Sequence, residues 1–134
     1  MHEVPSMKSV LIVEDEIFIA LEIERILQDA GYTVVAIAAD QTEALAAGAT
    51  AKVAFVDLNL RDGPTGPGLA LELADRFSMR IVYVTANPNQ IEQPARTAVG
   101  YIRKPFSEEA VLAAAAIAAD PESANVIHQD VIII

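Results

Sequence analysis

A chain of 134 residues fits one domain that buries about two thirds of the surface its unfolded form would expose, so neither a disulfide nor a structural metal is needed to hold it. Nine Lys and Arg against 19 Asp and Glu leave a net charge of -10, which repels nucleic acid and anionic membrane as bulk partners. Cysteine is absent, which removes disulfide scaffolds, thiol nucleophiles and thiolate metal sites, and two His argue against a zinc centre.

Residues 1–7 read as an N-terminal extension without the apolar core of a signal peptide, and no run approaches the length of a membrane span. The expected setting is cytoplasmic. Ser9 to Val13 is a short, β-branched apolar run that ends abruptly at Glu14-Asp15-Glu16, the mark of a first strand. From Ile17 to Ala30 the apolar positions Ile19, Ile23, Ile26, Leu27 and Ala30 follow a helical spacing, and Gly31 supplies the stop. Thr33 to Ala38 is a second strand, after which Asp40 can cap a short Ala-rich helix to Ala47, ended by Gly48.

Val53-Ala54-Phe55-Val56-Asp57 reads as a strand buried on both faces that stops at a carboxylate. In open α/β sheets, ligands bind at that end of the strands. An Asp there can also cap a following helix, but Leu58-Asn59-Leu60 intervenes and the next helical segment begins near Gly66. Pro67 can take the first position of a helix over Leu69 to Arg76. The glycines of residues 63–68 match neither a dinucleotide fingerprint nor a P-loop. Arg80 to Val84 makes a fourth strand, ending at Thr85. Pro88 and Pro94 leave any helix between Asn87 and Ala98 short or broken. Val99 to Arg103 is a fifth strand closed by Lys104-Pro105, and Ser107 caps a helix over Glu108 to Ala119.

This alternation implies an α/β fold, a doubly wound five-stranded parallel sheet with helices on both faces and the flavodoxin-like order 2-1-3-4-5. Its switch point lies between strands one and three, so Glu14, Asp15 and Asp57 meet there. Each carboxylate pair at about 5 Å costs roughly 3 kcal/mol at an effective dielectric of about 20, and a cation is expected among them. Hard oxygen donors with positions left for water and phosphate suit Mg2+. A solvated acidic rim is the plain alternative. Thr85 and Lys104, at the ends of strands four and five, supply a hydroxyl and an ammonium, although either alone reads as a local cap or a solvated lysine. Together they suit a centre in which Asp57 is a carboxylate nucleophile and Thr85 and Lys104 donate to phosphoryl oxygens.

Over residues 8–119 the motifs Val13-Glu14-Asp15-Glu16, Val56-Asp57, Val84-Thr85-Ala86 and Lys104-Pro105-Phe106 resemble the response regulator receiver domain of two-component signalling. The resemblance implies phosphoryl transfer to Asp57 from a histidine kinase or histidine phosphotransfer protein. It implies Mg2+ held by Asp15, Asp57 and the backbone carbonyl of Asn59, with Glu14 acting partly through water. It further implies a cis bond before Pro105, Thr85 as the switch hydroxyl, Tyr101 as the switch aromatic, and output through a downstream protein target by way of the surface around residues 87–106. The loop after Asp57 lacks the family's common Met-Pro step, Glu14 stands where Asp is frequent, and the prolines interrupt the fourth helix.

Residues 120–134 form an apolar tail, with Val126-Ile127-His128 and Val131-Ile132-Ile133-Ile134 too apolar for a disordered end. It could lie over the sheet, extend its edge, or pair with a second copy, and a self-association or docking segment is the reading adopted. A homodimer would use this tail or the 87–119 face. The function expected is a phosphorylation switch, not an enzyme beyond its own phosphorylation and dephosphorylation. A pseudo-receiver that works without phosphoryl transfer is the alternative. A small phosphatase is a third reading, and Asn59 withholds the second acid it would want.

Overall fold

In the computed structural model, which describes residues 6–120 and 129–134, Ser9–Val13 (β1) and Val53–Asp57 (β3) are buried along their whole length, as strands covered on both faces must be. The other elements are Ile17–Asp29 (α1), Thr33–Ala38 (β2), Gln41–Ala47 (α2), Gly66–Phe77 (α3), Arg80–Thr85 (β4), Ala98–Arg103 (β5), Glu108–Ala119 (α4) and Val131–Ile133 (β6). The sheet runs β2-β1-β3-β4-β5-β6, with the first four pairings parallel and the last antiparallel. The expected order of five parallel strands is present, and a sixth strand extends it.

Strand side chains alternate between two cores. Val10, Ile12, Phe55, Val82 and Ile102 face α1 and α4, whereas Leu11, Val13, Val56, Ile81 and Tyr83 face α2 and α3. Ile23, Ile26 and Leu27 of the predicted α1 face are buried, joined by Ala20, whereas Ile19 is half-buried and Ala30, the residue after the helix, is exposed. Asp40 accepts the Glu43 N–H at 2.9 Å and Ser107 Oγ accepts that of Ala110 at 3.1 Å, so both expected N-caps form. Gly31 takes φ 91° just past α1, as a helix stop requires. Gly48 continues into a short 3-10 turn over Gly48–Thr50 instead of ending the chain's helical path. The helix of Pro67 begins at Gly66, where the segment is expected to start, and runs to Phe77.

Between β4 and β5 the chain makes only a four-residue 3-10 turn, Pro88–Ile91, as the two prolines imply. Anchors replace helical bonds there. Ile91 and Ala95 are buried, and the Ala95 N–H donates to Tyr83 Oη at 2.9 Å. Helix α4 is apolar nearly all round because it lies among β5, α1 and β6. Its last carbonyls are met by Arg80, whose Nη1 donates to Ala118 O at 2.8 Å.

Of the three courses open to the apolar tail, its described part takes the second. Val131–Ile133 pairs with Gly100–Ile102, and Val131 is buried in the core of α1 and α4. Gly100 makes this possible: a Cβ there would stand 2.2 Å from Ile132 O. Val126, Ile127 and His128 lie outside the described residues.

Candidate functional site

The candidate residues stand at the carboxyl ends of four adjacent strands, each fixed by main-chain hydrogen bonding. Glu14 follows β1, and its N–H donates to Ala38 O at 2.9 Å. Lys104 follows β5, and its N–H donates to Thr85 O at 3.0 Å. Asp57 closes β3 and Thr85 closes β4. The ladder therefore sets where these side chains start.

Glu14, Asp15 and Asp57 offer carboxylate oxygens within 4.8 Å of one another, as the topology predicts. Lys104 enters from the far side. Its Nζ donates to Asp57 Oδ2 at 2.9 Å and lies 2.8 Å from Glu14 Oε1. The second contact is a close approach without hydrogen-bond geometry, so Glu14 Oε1 is a buried oxygen with no hydrogen-bond partner. Glu14 is only 2 % exposed, Asp57 6 %, and Asp15 stands in solvent.

One ammonium faces two buried carboxyl groups, and the deeper of them, Glu14, is shifted towards its neutral form. Burial, reinforced by the neighbouring Asp57 and opposed by Lys104, pushes the Glu14 carboxyl up from 4.5 to about 8. Burial pulls Lys104 down, but Glu14 and Asp57 together outweigh it, and its value is raised. A value near 8 favours the protonated form of Glu14 at neutral pH, beside the Lys104 ammonium that bonds Asp57 Oδ2 at 2.9 Å. Oxygen donors, one orphaned and one exposed, fit a hard divalent cation of the Mg2+ type, which would displace the Glu14 proton.

A cleft of about 350 Å³ opens over these groups, lined by Asp15, Glu16, Asp57, Asn59, Leu60, Ala86 and Lys104. Ala86 leaves it open. Asn59 contributes its N–H to Asp57 Oδ1 at 3.2 Å. A larger cavity of about 550 Å³ lies on the other side of Lys104, between Tyr101, Phe106 and the tail turn at Gln129 and Asp130. Its one acidic lining residue is Asp130, and Asp15 and Asp57 line the smaller cleft.

Two expected residues stand back from the cleft. Thr85 is 1 % exposed and its Oγ accepts the Asn87 N–H at 2.9 Å, which leaves the hydroxyl hydrogen free to donate elsewhere. Half-buried Tyr101 pairs with Ile132 of β6 and borders the larger cavity. The Lys104–Pro105 bond is cis, as the resemblance implies.

Two contributors were not foreseen. Gly66 brings α3 so close that a Cβ would lie 2.2 Å from Asp57 O and 2.5 Å from Leu58 Cα. A glycine just ahead of a Pro-started helix is its only trace in sequence. Gln90 pairs with Asn59 through reciprocal amide bonds of 3.0 and 3.1 Å, and no periodicity marks it.

The model of the response regulator receiver domain matches residues 10–116. The phyllosphere-induced regulator PhyR of Methylorubrum extorquens is 30 % identical over 101 residues, which are 72 % of this chain and 38 % of that regulator. The chain thus spans well under half the length of this curated relative. The solution structure of the PhyR response regulator REC domain of Erythrobacter litoralis superposes with a TM-score of 0.75 at 28 % identity, covering 85 % of this chain and 90 % of that one. A CheY-like response regulator receiver domain protein from Methanospirillum hungatei gives 0.72 at 26 % identity, covering 87 % and 96 %.

Proposed function

The chain belongs to the response regulator receiver domain family, and from that premise we propose that it is a switch charged by phosphoryl transfer to Asp57 from a histidine kinase or histidine phosphotransfer protein. It is a signalling regulator and not a classical enzyme. One observation carries the reading: Asp57 ends β3 as a buried carboxylate paired with Lys104, opening onto a cleft of oxygen donors.

In the transfer an Asp57 oxygen forms the new bond to phosphorus as the bond to the donor imidazole breaks, and the imidazole keeps the electron pair and takes up a proton. Lys104, released from Asp57, turns its N–H groups to a phosphoryl oxygen, and the Thr85 hydroxyl donates to another. Bound Mg2+, held by Asp15, Asp57 and the carbonyl of Asn59 with Glu14 beside them, would neutralise charge on the phosphoryl oxygens. Glu14 supplies a carboxylate once its proton is lost. The added charge of nearly two then biases the positions of Thr85, Tyr101 and Lys104, and the 87–106 surface carries the change to a protein target.

The domain is assigned to residues 8–119, after an extension of residues 1–7 and before the tail of residues 120–134. None of the described helices is long and apolar enough to cross a membrane. A cytoplasmic setting follows from the proposed donors. Self-association is assigned to the edge bearing Ile132, Ile133 and Ile134, which are 44, 60 and 44 % exposed.

The test is intact-mass measurement with Mg2+ and a small phosphodonor on the wild type and Asp57→Asn. An adduct on the wild type alone is expected. An adduct on both, or on neither, refutes transfer to Asp57, and neither is the outcome a pseudo-receiver gives.

A further inference from the structure

The segment between β4 and β5 has little internal structure, yet it is held in one place. Only four residues form a 3-10 turn, and Glu92 closes it at φ 43°, a left-handed value that L residues adopt at a cost. Contacts to other elements must hold it. Two of those contacts reach the phosphoacceptor site: Asn87 N–H to Thr85 Oγ, and the Asn59–Gln90 amide pair.

Asn59 sits at the most sensitive point of the neighbouring loop. Leu58 and Leu60 are buried on either side of it, whereas Asn59 is exposed. Its flanks are thus fixed by packing, but the orientation of its own peptide depends on polar contacts. These are its N–H to Asp57 Oδ1 and its side chain to Gln90, 31 residues on. A carboxamide pair with both bonds made is directional, and rotating either group breaks both.

We propose that Gln90 is a positioning residue of the phosphoacceptor site, fixing the peptide after Asp57 through Asn59 and tying the state of that site to residues 87–92. This rests on the phosphoacceptor reading, from which the carbonyl of Asn59 derives its role toward Mg2+. Any turn of that peptide strains the amide pair, and any displacement of Gln90 turns the peptide. The linkage is reciprocal: a partner that moves the 87–92 segment alters Mg2+ affinity by the factor with which Mg2+ alters the partner's.

The experiment compares the full-length wild type, Gln90→Ala, the singles Asn59→Gln and Gln90→Asn, and the double Asn59→Gln/Gln90→Asn, which exchanges the amides while keeping their combined reach. Backbone amide shifts are recorded without metal, then Mg2+ affinity by titration, then the melting temperature. Gln90→Ala should shift the amides of residues 57–60 and weaken Mg2+ by about three- to tenfold, the worth of one net hydrogen bond. Its melting temperature should stay close to wild type, because Gln90 is half-exposed. The double should bind more tightly than either single. Wild-type affinity in Gln90→Ala, or a double no better than the singles, overturns the proposal. If the wild type binds no Mg2+ and forms no adduct, the phosphoacceptor reading fails, and the role of Gln90 is decided by the shifts at residues 57–60 alone.

Discussion

Replacing Glu14 by Gln removes one ionisation from the pocket and keeps the shape of the side chain. A carboxyl whose folded value lies above its unfolded one favours the folded state only while protonated. Its contribution is complete below pH 4.5 and is lost as pH rises through about 8. The gap of about 8 minus 4.5, at about 1.4 kcal/mol per pH unit, bounds the full effect at about 5 kcal/mol. Glu14 is 2 % exposed, so solvent screening takes little from this. Relative to wild type, Glu14→Gln should be unchanged at pH 4, more stable by about 3 kcal/mol at pH 7, and by nearly the full amount at pH 9. In melting temperature that is about 10 °C at pH 7 for a domain of this size. Thermal unfolding of both proteins from pH 4 to 9, without divalent metal, reads it directly. In the wild type, Mg2+ should bind more tightly as pH rises towards 8, with proton release visible as a buffer-dependent calorimetric enthalpy. Equal melting temperatures at pH 7 and 9 would refute a protonated, buried Glu14.

Lys104→Met leaves the buried Asp57 carboxylate without its ammonium and should cost about 3 kcal/mol by urea unfolding, with part of the loss recovered at saturating Mg2+. Gly66→Ala should cost about 2–3 kcal/mol and slow adduct formation at Asp57, since its Cβ meets main chain that cannot step aside; unchanged unfolding and phosphorylation would contradict the close approach. Gly100→Val should expel β6 and expose Val131, costing about 2 kcal/mol in unfolding free energy, and hydrogen exchange at residues 131–133 should rise to that of free chain.

The strand ends were legible because each buried apolar run stops at a polar residue, Glu14, Asp57 or Thr85, and parallel crossovers permit few ways to arrange such runs. Pro88 and Pro94 announced the missing helix for a local reason, the loss of N–H donors. Long-range pairings left no such trace. Gly100 reads as an ordinary strand glycine until β6 lies against it, so the sequence favoured a self-association or docking segment over the edge strand that the described tail forms. Gln90 is one polar residue among several in its segment, and its partner lies 31 positions away. Glu14 and Asp15 are adjacent in sequence, yet Glu14 continues the inward course of β1 while Asp15 turns to solvent. Burial is the largest cause of the rise at the Glu14 carboxyl.

The short sixth strand also bears on solubility. Without it, β5 would offer the unpaired main-chain groups of Ala98–Arg103 as a template for other chains, whereas β6 presents only three residues. Those residues are apolar and partly bare, so shortness and the charge of -10 together oppose open-ended stacking beyond the self-association assigned to this edge. Acid removes the second of these protections. Near pH 4.4, where the net charge vanishes, the isoleucine edge becomes the seam along which molecules would begin to precipitate.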